Sequence, residues 1–142
     1  MIQIELNRIN ENFAFNAADS YGHTITTDTS VEGGGNNAGA RPMQVLLMAM
    51  GGCSGIDVVS ILKKQRQQIT GFKISIEAER EKDKEPALWK YAHITFKLKG
   101  NLDIDKVNKA CALSIDKYCS VAATLRAAGC VIEWKAIVEN DK

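Results

Sequence analysis

The chain has 142 residues, which is the length of one domain. Its hydrophobic content of 45% and its mixed charges are typical of a globular protein and exclude disordered and fibrous classes. Eighteen basic residues against seventeen acidic ones leave a net charge of +1, without a long run of one sign, so nucleic acid is not expected as a partner.

The first thirty residues predict a β-meander. Three short strand-like runs, at residues 3–7, 13–17 and 24–28, are separated by Asn- and Gly-containing turns, and the threonine-rich third run favours strand. The N-terminus shows no basic segment followed by a long apolar stretch. We therefore expect an unexported, cytoplasmic protein.

A glycine-rich segment follows at residues 32–39, Glu-Gly-Gly-Gly-Asn-Asn-Ala-Gly. So many glycines disfavour regular structure, and we expect a mobile loop here. It could act as a hinge or a lid, but a simple connector is the default interpretation.

A long helix is predicted from Pro42, a favoured residue in a first helical turn, to residue 67 or 68. About 25 residues at 1.5 Å each span roughly 38 Å, which exceeds the thickness of a domain of this size and points to a partner subunit. Residues 43–62 carry a single charge, Asp57. Glycines and serines interrupt the apolar run, so we do not expect a membrane span.

Two alternating strands, near residues 72–78 and 92–98, are expected to form a hairpin through the polar loop 81–86, with His93 facing solvent. Asp103 is a plausible N-cap for a helix reaching about Tyr118. Its expected inner face consists of Val107, Ala110, Cys111, Ser114 and Ile115.

A short helix at 120–128, ended by Gly129, and a strand at 131–138 complete the chain. This order predicts a single α+β domain over residues 1–142, with an almost uncharged helix that sheet or another subunit must cover.

Four cysteines in a chain without an export signal are expected to be thiols, not a disulfide framework. No two of them form a C-x-x-C pair, so we expect no metal, and no feature calls for a cofactor.

Cys53 lies in the middle of the long helix, among Gly51, Gly52 and Gly55. Each glycine costs a helix interior nearly 1 kcal/mol relative to alanine, and close approach of a backbone or a substrate beside the thiol would offset that cost. The alternative is a small buried cysteine at a tight helix crossing.

Cys119 lies at the seam between two predicted helices. If Cys119 or Ser120 caps the second helix, the free N–H groups there would lower the pKa of the thiol, which could then act as a nucleophile or as a resolving thiol. The alternative is a half-buried cap residue. Cys111 and Cys130 are interpreted as core.

Two more residues could support a site. His23, at a turn-to-strand boundary, could be a base or a hydrogen-bond donor, although a surface histidine is the simpler interpretation. Asp57, one turn after Cys53, needs a partner in an apolar helix. It could orient the site, or satisfy a helix terminus or an arginine of another subunit.

Two segments resemble the OsmC/Ohr superfamily of thiol-dependent peroxide-detoxifying proteins. They are Arg-Pro-Met-Gln at 41–44 with Met-Ala-Met-Gly-Gly-Cys-Ser-Gly-Ile-Asp-Val-Val-Ser-Ile-Leu at 48–62, and Ser-Ile-Asp-Lys-Tyr-Cys-Ser-Val at 114–121. The order of predicted elements agrees over essentially the whole chain, and Gly-Gly-Cys-Ser-Gly-Ile-Asp-Val-Val is most similar to the YhfA-like branch.

This resemblance implies an OsmC-like fold, with two β-sheet segments around a long central helix, in an intertwined homodimer with active sites at the subunit interface. It implies that Cys53 is the peroxidatic cysteine and Cys119 the resolving one, reset by a dithiol reductant, in oxidative-stress defence. The chemistry would be of the peroxiredoxin type.

One position departs from the family pattern. Active hydroperoxide reductases carry a glutamate ten residues before the first cysteine, bonded to an arginine of the N-terminal sheet. This chain has Met43 there, followed by Gln44, and its N-terminal strands offer only Arg8. Other cations could activate the thiol instead, and the sequence does not select among them: Arg41, Arg126, Lys117 and His23.

Three functions remain open from the sequence. The first is a thiol peroxidase acting on organic hydroperoxides or hydrogen peroxide. The second is a catalytically weak redox-sensing or small-molecule-binding protein that lacks the activating glutamate. The third is an interface protein in which Cys53, Cys119 and His23 hold a metal.

Overall fold

A computed structural model describes residues 1–140, and these divide into two compact units, Met1–Leu46 and the chain from Leu47 onward. The molecule is α+β, with two three-stranded sheets and three α-helices among the described residues. The predicted fold class is thereby confirmed.

The N-terminal unit is built on the predicted meander. Strands β1 (Glu5–Arg8), β2 (Phe15–Ala18) and β3 (Thr24–Thr27) pair antiparallel in chain order. The boundaries differ from the predicted runs by one or two residues, which is the usual uncertainty at strand ends.

The glycine-rich segment is folded around a buried carboxylate, contrary to the expectation of a mobile loop. Asp28 accepts the backbone N–H groups of Thr29 at 2.7 Å and of Asn36 and Ala38 at 3.0 Å each. These bonds, led by the one from Ala38, lower the pKa of Asp28. A Cβ at Gly39 would stand 2.3 Å from the carbonyl oxygen of Thr26, so glycine is required there by close backbone approach.

Helix α1 (Pro42–Lys64) begins where predicted and ends earlier. Arg66 adopts a left-handed conformation, with φ of 58°, and the N–H of Gln67 donates to the carbonyl of Leu62 at 2.9 Å. This is a Schellman-type end formed without glycine, so the usual sequence signal for a helix stop was absent.

The inner stripe of α1 consists of five buried residues, Met50, Gly51, Ser54, Val58 and Leu62. The stripe rests on β4 (Gly71–Arg80), where Cβ atoms at Gly51 and Gly55 would stand 3.3 and 3.0 Å from the ends of Ile76 and Ile74. Two of the three glycines around Cys53 therefore allow the helix to approach the sheet closely.

The second sheet has the order β4-β5-β6, with β5 at Trp89–Lys99 and β6 at Val131–Glu139. The β4–β5 pair is the predicted antiparallel hairpin, and β5 pairs with β6 in parallel. Alternate residues of β5 enter the core: Ala92, Ile94, Phe96 and Leu98. His93 lies on the opposite face in register with Glu77 and Glu133, as the alternation predicted.

The connection from β5 to β6 carries the second cysteine. Asp103 caps α2 (Ile104–Leu113) by accepting the N–H of Asp105 at 2.9 Å, and all five residues predicted for the inner face are buried. The predicted single helix to Tyr118 is wrong in detail, because residues Ser114–Tyr118 form a π-helical segment. Helix α3 (Ser120–Ala127) follows and ends at Gly129, with φ of 101°.

Helix α1 is long and apolar enough to cross a membrane by length and composition. However, the same criteria are met by core helices of globular proteins, and the inner stripe of α1 packs into a core shared with β5 and α2. We interpret α1 as a core helix with one uncovered face.

Candidate active site

The structure brings Cys53 and Cys119 together, although they are 66 positions apart in the chain. The side chain of Cys53 lies close enough to that of Cys119 to affect its ionisation, and all four cysteines of the chain are free thiols. Cys53 projects from α1 and is partly exposed, whereas Cys119 is 2% exposed. A small molecule can therefore reach Cys53 before it reaches Cys119.

Cys119 is the N-cap of α3. Its sulfur accepts the N–H of Ala122 at 3.4 Å and donates weakly to the carbonyl oxygen of Met50, on α1, at 3.9 Å. The thiol is thus held between the start of one helix and the turn of another that carries Cys53.

Burial decides the protonation of Cys119. The N–H groups of Ala122 and Val121 favour the thiolate, as predicted for a capping cysteine, but desolvation outweighs them. With a smaller contribution from the contact with Cys53, burial raises the pKa of Cys119 to about 11. The expected lowering of its pKa is therefore wrong, and Cys119 is a neutral thiol near pH 7.

Helix α1 is also joined to the π-helical segment that precedes Cys119. The hydroxyl of buried Ser114 lies 3.0 Å from a carboxylate oxygen of Asp57 and 3.3 Å from the carbonyl oxygen of Ser54. The Ser114 hydroxyl is therefore a partner for Asp57, as was expected for the single charged residue of this apolar stretch. Sequence reasoning placed Ser114 on the inner face of its helix but did not assign it to the site, because the pattern gave no indication of what it would face.

The candidate activating groups have partners of their own. Arg126 donates to the carbonyl of Ile115 at 2.6 Å and to Asp116 at 3.3 Å, and Lys117 lies over the ring of Tyr118. Arg126 therefore binds the π-helical segment, and Lys117 is part of that segment.

The candidates of the N-terminal unit also have local partners. Arg41 donates to Asn37 and to the carbonyl of Gly39, and exposed His23 lies 2.9 Å from Asp19. Arg8 donates to the carbonyls of Glu11 and Asn12. Gln44 is exposed on the first turns of α1. Their supporting roles stay predictions.

The remaining cysteines are structural. Cys111 and Cys130 are buried in the core, as predicted, and burial raises the pKa of Cys111 to about 12. Within residues 1–140 no group of three or more His, Cys, Asp or Glu residues is placed to hold a metal.

The N-terminal unit contains an apolar cavity of about 310 Å³. Its lining includes Phe13, Phe15 and Pro42, and its one carboxylate is Asp28, whose oxygens already accept backbone N–H groups. The cavity could accommodate an apolar group, but its only carboxylate is already hydrogen-bonded to the backbone.

A family description matches residues 33–135, which include both cysteines of the pair: OsmC-like protein. The chain belongs to the OsmC-like family. Protein YhfA of Escherichia coli is 38% identical to this OsmC-like chain over 119 residues, covering 83% of the chain and 85% of YhfA.

Solved structures agree with this assignment. A hypothetical protein from Aquifex aeolicus is 32% identical, with 98% of both chains covered and a TM-score of 0.80. An organic hydroperoxide resistance protein OsmC from Legionella pneumophila is 10% identical, with 96% of both chains covered and a TM-score of 0.72. At that identity the Legionella protein shows the OsmC-like fold alone.

Proposed function

We propose that this OsmC-like protein is a cytoplasmic thiol peroxidase that reduces organic hydroperoxides or hydrogen peroxide through Cys53 and Cys119. The observation that carries the proposal is that a partly exposed thiol lies near a buried one and affects its ionisation. The substrate class is proposed from the family resemblance of the two cysteine-bearing segments, and the Legionella protein named for organic hydroperoxide resistance has the same fold.

The chemistry follows from the two environments. The Cys53 thiolate attacks one peroxide oxygen, the O–O bond breaks, and the leaving alkoxide or hydroxide takes a proton, giving a sulfenic acid and an alcohol or water. The sulfur of Cys119 then attacks the sulfenic sulfur, and the displaced hydroxyl leaves as water with the Cys119 proton. A dithiol reductant returns both thiols by exchange and becomes a disulfide itself.

We further propose that the protein is a homodimer, as the family resemblance implies. Met48, Gly52 and Ile56 stand four residues apart on the outer face of α1, and Met48 and Ile56 are 59% and 72% exposed. Apart from its two chain neighbours and the backbone of its own helix, no described atom lies within 4 Å of a Cβ placed at Gly52. A second α1 against this stripe would cover apolar surface beside Cys53.

Peroxide consumption by purified reduced protein tests the enzymatic proposal. With a dithiol in excess, wild-type protein should consume cumene hydroperoxide or hydrogen peroxide over many turnovers, and Cys53→Ser should abolish this. In the absence of any added thiol, Cys119→Ser should consume one equivalent and accumulate a sulfenic acid that dimedone traps. Cys111→Ala is the matched control, since that thiol lies in the core, and it should retain activity.

The decisive product is a 53–119 disulfide, seen by mass spectrometry after one equivalent of peroxide. Unchanged peroxide consumption in Cys53→Ser, or the absence of this crosslink in oxidised wild type, would reject the assignment.

The second candidate function is that of a redox sensor or small-molecule-binding protein with little catalytic turnover. Met43, where active relatives carry the activating glutamate, favours it. In that case Cys53 would lack activation, and one equivalent of peroxide would form no disulfide with Cys119. The rate at which iodoacetamide modifies Cys53 as a function of pH, together with mass spectrometry after peroxide treatment, separates the two functions.

A further inference from the structure

Ser114 contacts both cysteine-bearing segments at once. Its carbonyl accepts the N–H of Cys119 at 2.7 Å, which is the i to i+5 bond of the π-helical segment. Its hydroxyl reaches α1 at Asp57, one turn beyond Cys53. One buried residue therefore links the backbone of the resolving cysteine to the helix of the peroxidatic one.

We propose that Ser114 and Asp57 are positioning residues that hold Cys119 against Cys53 for disulfide formation. This inference rests on the proposed function for its role in turnover, while the positioning itself is a property of the two thiols. Neither residue touches the reacting oxygen, so the predicted effect is on the second step, not on the attack on peroxide.

The second step depends on position more than on thiol ionisation. Cys119 is neutral near pH 7, and its sulfur must approach the sulfenic sulfur of Cys53 while its proton goes to the departing hydroxyl. Holding two groups in a reactive geometry raises their effective concentration, and a displacement of about 1 Å can cost a hundredfold in rate. The Ser114–Asp57 bond fixes one segment against the other at this point.

The chain offers a matched control in Ser54. Its buried hydroxyl donates within its own helix, to the carbonyls of Met50 at 2.8 Å and Gly51 at 3.2 Å, and makes no bond to the π-helical segment. Ser54→Ala therefore removes a buried hydroxyl next to Cys53 and leaves the link between the segments intact. Ser114→Ala removes the link.

The first test is the equilibrium of the reduced protein with glutathione and glutathione disulfide. Ser114→Ala and Asp57→Ala should each lower the effective concentration of the pair about tenfold, which shifts its potential by about 30 mV to less negative values. Ser54→Ala should match wild type. Asp57→Asn, which keeps an oxygen acceptor, should largely restore the wild-type value.

The double variant Ser114→Ala/Asp57→Ala should lose no more than Ser114→Ala alone, because Ser114→Ala already removes the bond to Asp57 together with the 3.3 Å contact to the carbonyl of Ser54. Wild-type values in the two single variants would overturn the proposal. An equal loss in Ser54→Ala would overturn it as well, since general loosening of the core would then explain the effect. Urea midpoints of all variants, taken under reducing conditions, identify any that fail to fold.

The second test separates the steps with peroxide. Trapping by dimedone should show that Ser114→Ala forms the Cys53 sulfenic acid at the wild-type rate but closes the disulfide at least tenfold more slowly. If wild-type protein does not react with peroxide, the peroxidase assignment fails while the glutathione equilibrium still reports on positioning. Equal closure rates in wild type and Ser114→Ala would overturn the positioning role.

Discussion

The backbone N–H of Ala122 donates to the sulfur of Cys119 at 3.4 Å, so a cysteine serves as the N-cap of α3. Such a cap normally favours a thiolate, because the free N–H groups of a helix start carry partial positive charge. In this protein burial is the larger effect, and the pKa of Cys119 rises to about 11.

The two thiols should therefore differ sharply in alkylation. At pH 8 iodoacetamide should modify Cys53 at least tenfold faster than Cys119, because only the thiolate reacts and Cys119 is both neutral and buried. Peptide mass spectrometry over a time course of labelling measures both rates. Comparable rates at the two positions would contradict the assigned roles.

Cys111 should make stability depend on alkaline pH. Its folded pKa of about 12 exceeds the ordinary value of 9.0, so the neutral thiol stabilises the fold fully below pH 9 and this contribution is lost as the pH rises towards 12. The loss is about 1.4 kcal/mol per pH unit in that window.

Cys111→Ala removes this titration while other groups titrate equally in both proteins. The difference in unfolding free energy between wild type and Cys111→Ala, from urea curves at pH 8 to 10.5 with reductant, should shrink as the pH rises above 9. A difference that stays constant with pH would show that Cys111 titrates normally in the folded state.

Ile56→Glu should convert a dimer into a monomer. A carboxylate in the apolar stripe of α1 would lose its hydration on association without gaining a partner. Sedimentation velocity at micromolar concentration measures the change. Ile137→Glu is a suitable control, since Ile137 is also exposed but lies on β6, and it should leave the mass unchanged. A monomeric wild type would reject the dimer.

Gly39→Ala should destabilise the protein by about 1 to 3 kcal/mol, the usual cost of forcing atoms into filled space. The added Cβ would meet the backbone of Thr26, which cannot rotate away as a side chain could. Gly71→Ala is the control, because its Cβ would stand 3.4 Å from Lys99, an ordinary contact. Equal urea midpoints for the two variants would contradict the close approach.

Periodicity predicted most of the fold. Alternation located β4 and β5, Asp103 marked the start of α2, and Gly129 marked the end of α3, since these signals depend on local chemistry. The end of α1 was placed too late, because Arg66 takes a left-handed conformation that sequence favours only for glycine or asparagine.

Sequence reasoning was weaker for the site. The pair Cys53 and Cys119 came from the family resemblance, because spacing alone cannot show that two distant residues meet. The partner of Asp57 was out of reach for the same reason, since Ser114 is 57 positions away. The loop around Asp28 was expected to be mobile because it contains many glycines. The sequence does not show that some of these glycines pack closely against the backbone of neighbouring residues.

The π-helical segment fixes how many residues may separate Ser114 from Cys119. Removing one of the residues between them would let an ordinary α-helix form, and everything after the deletion would rotate by about 100° relative to the preceding helix. The sulfur of residue 119 would then turn away from α1, and β6, which also follows the deletion, would lose its register with β5 unless the chain adjusted elsewhere. The irregular turn thus makes this stretch intolerant of insertions and deletions even where individual side chains could be exchanged.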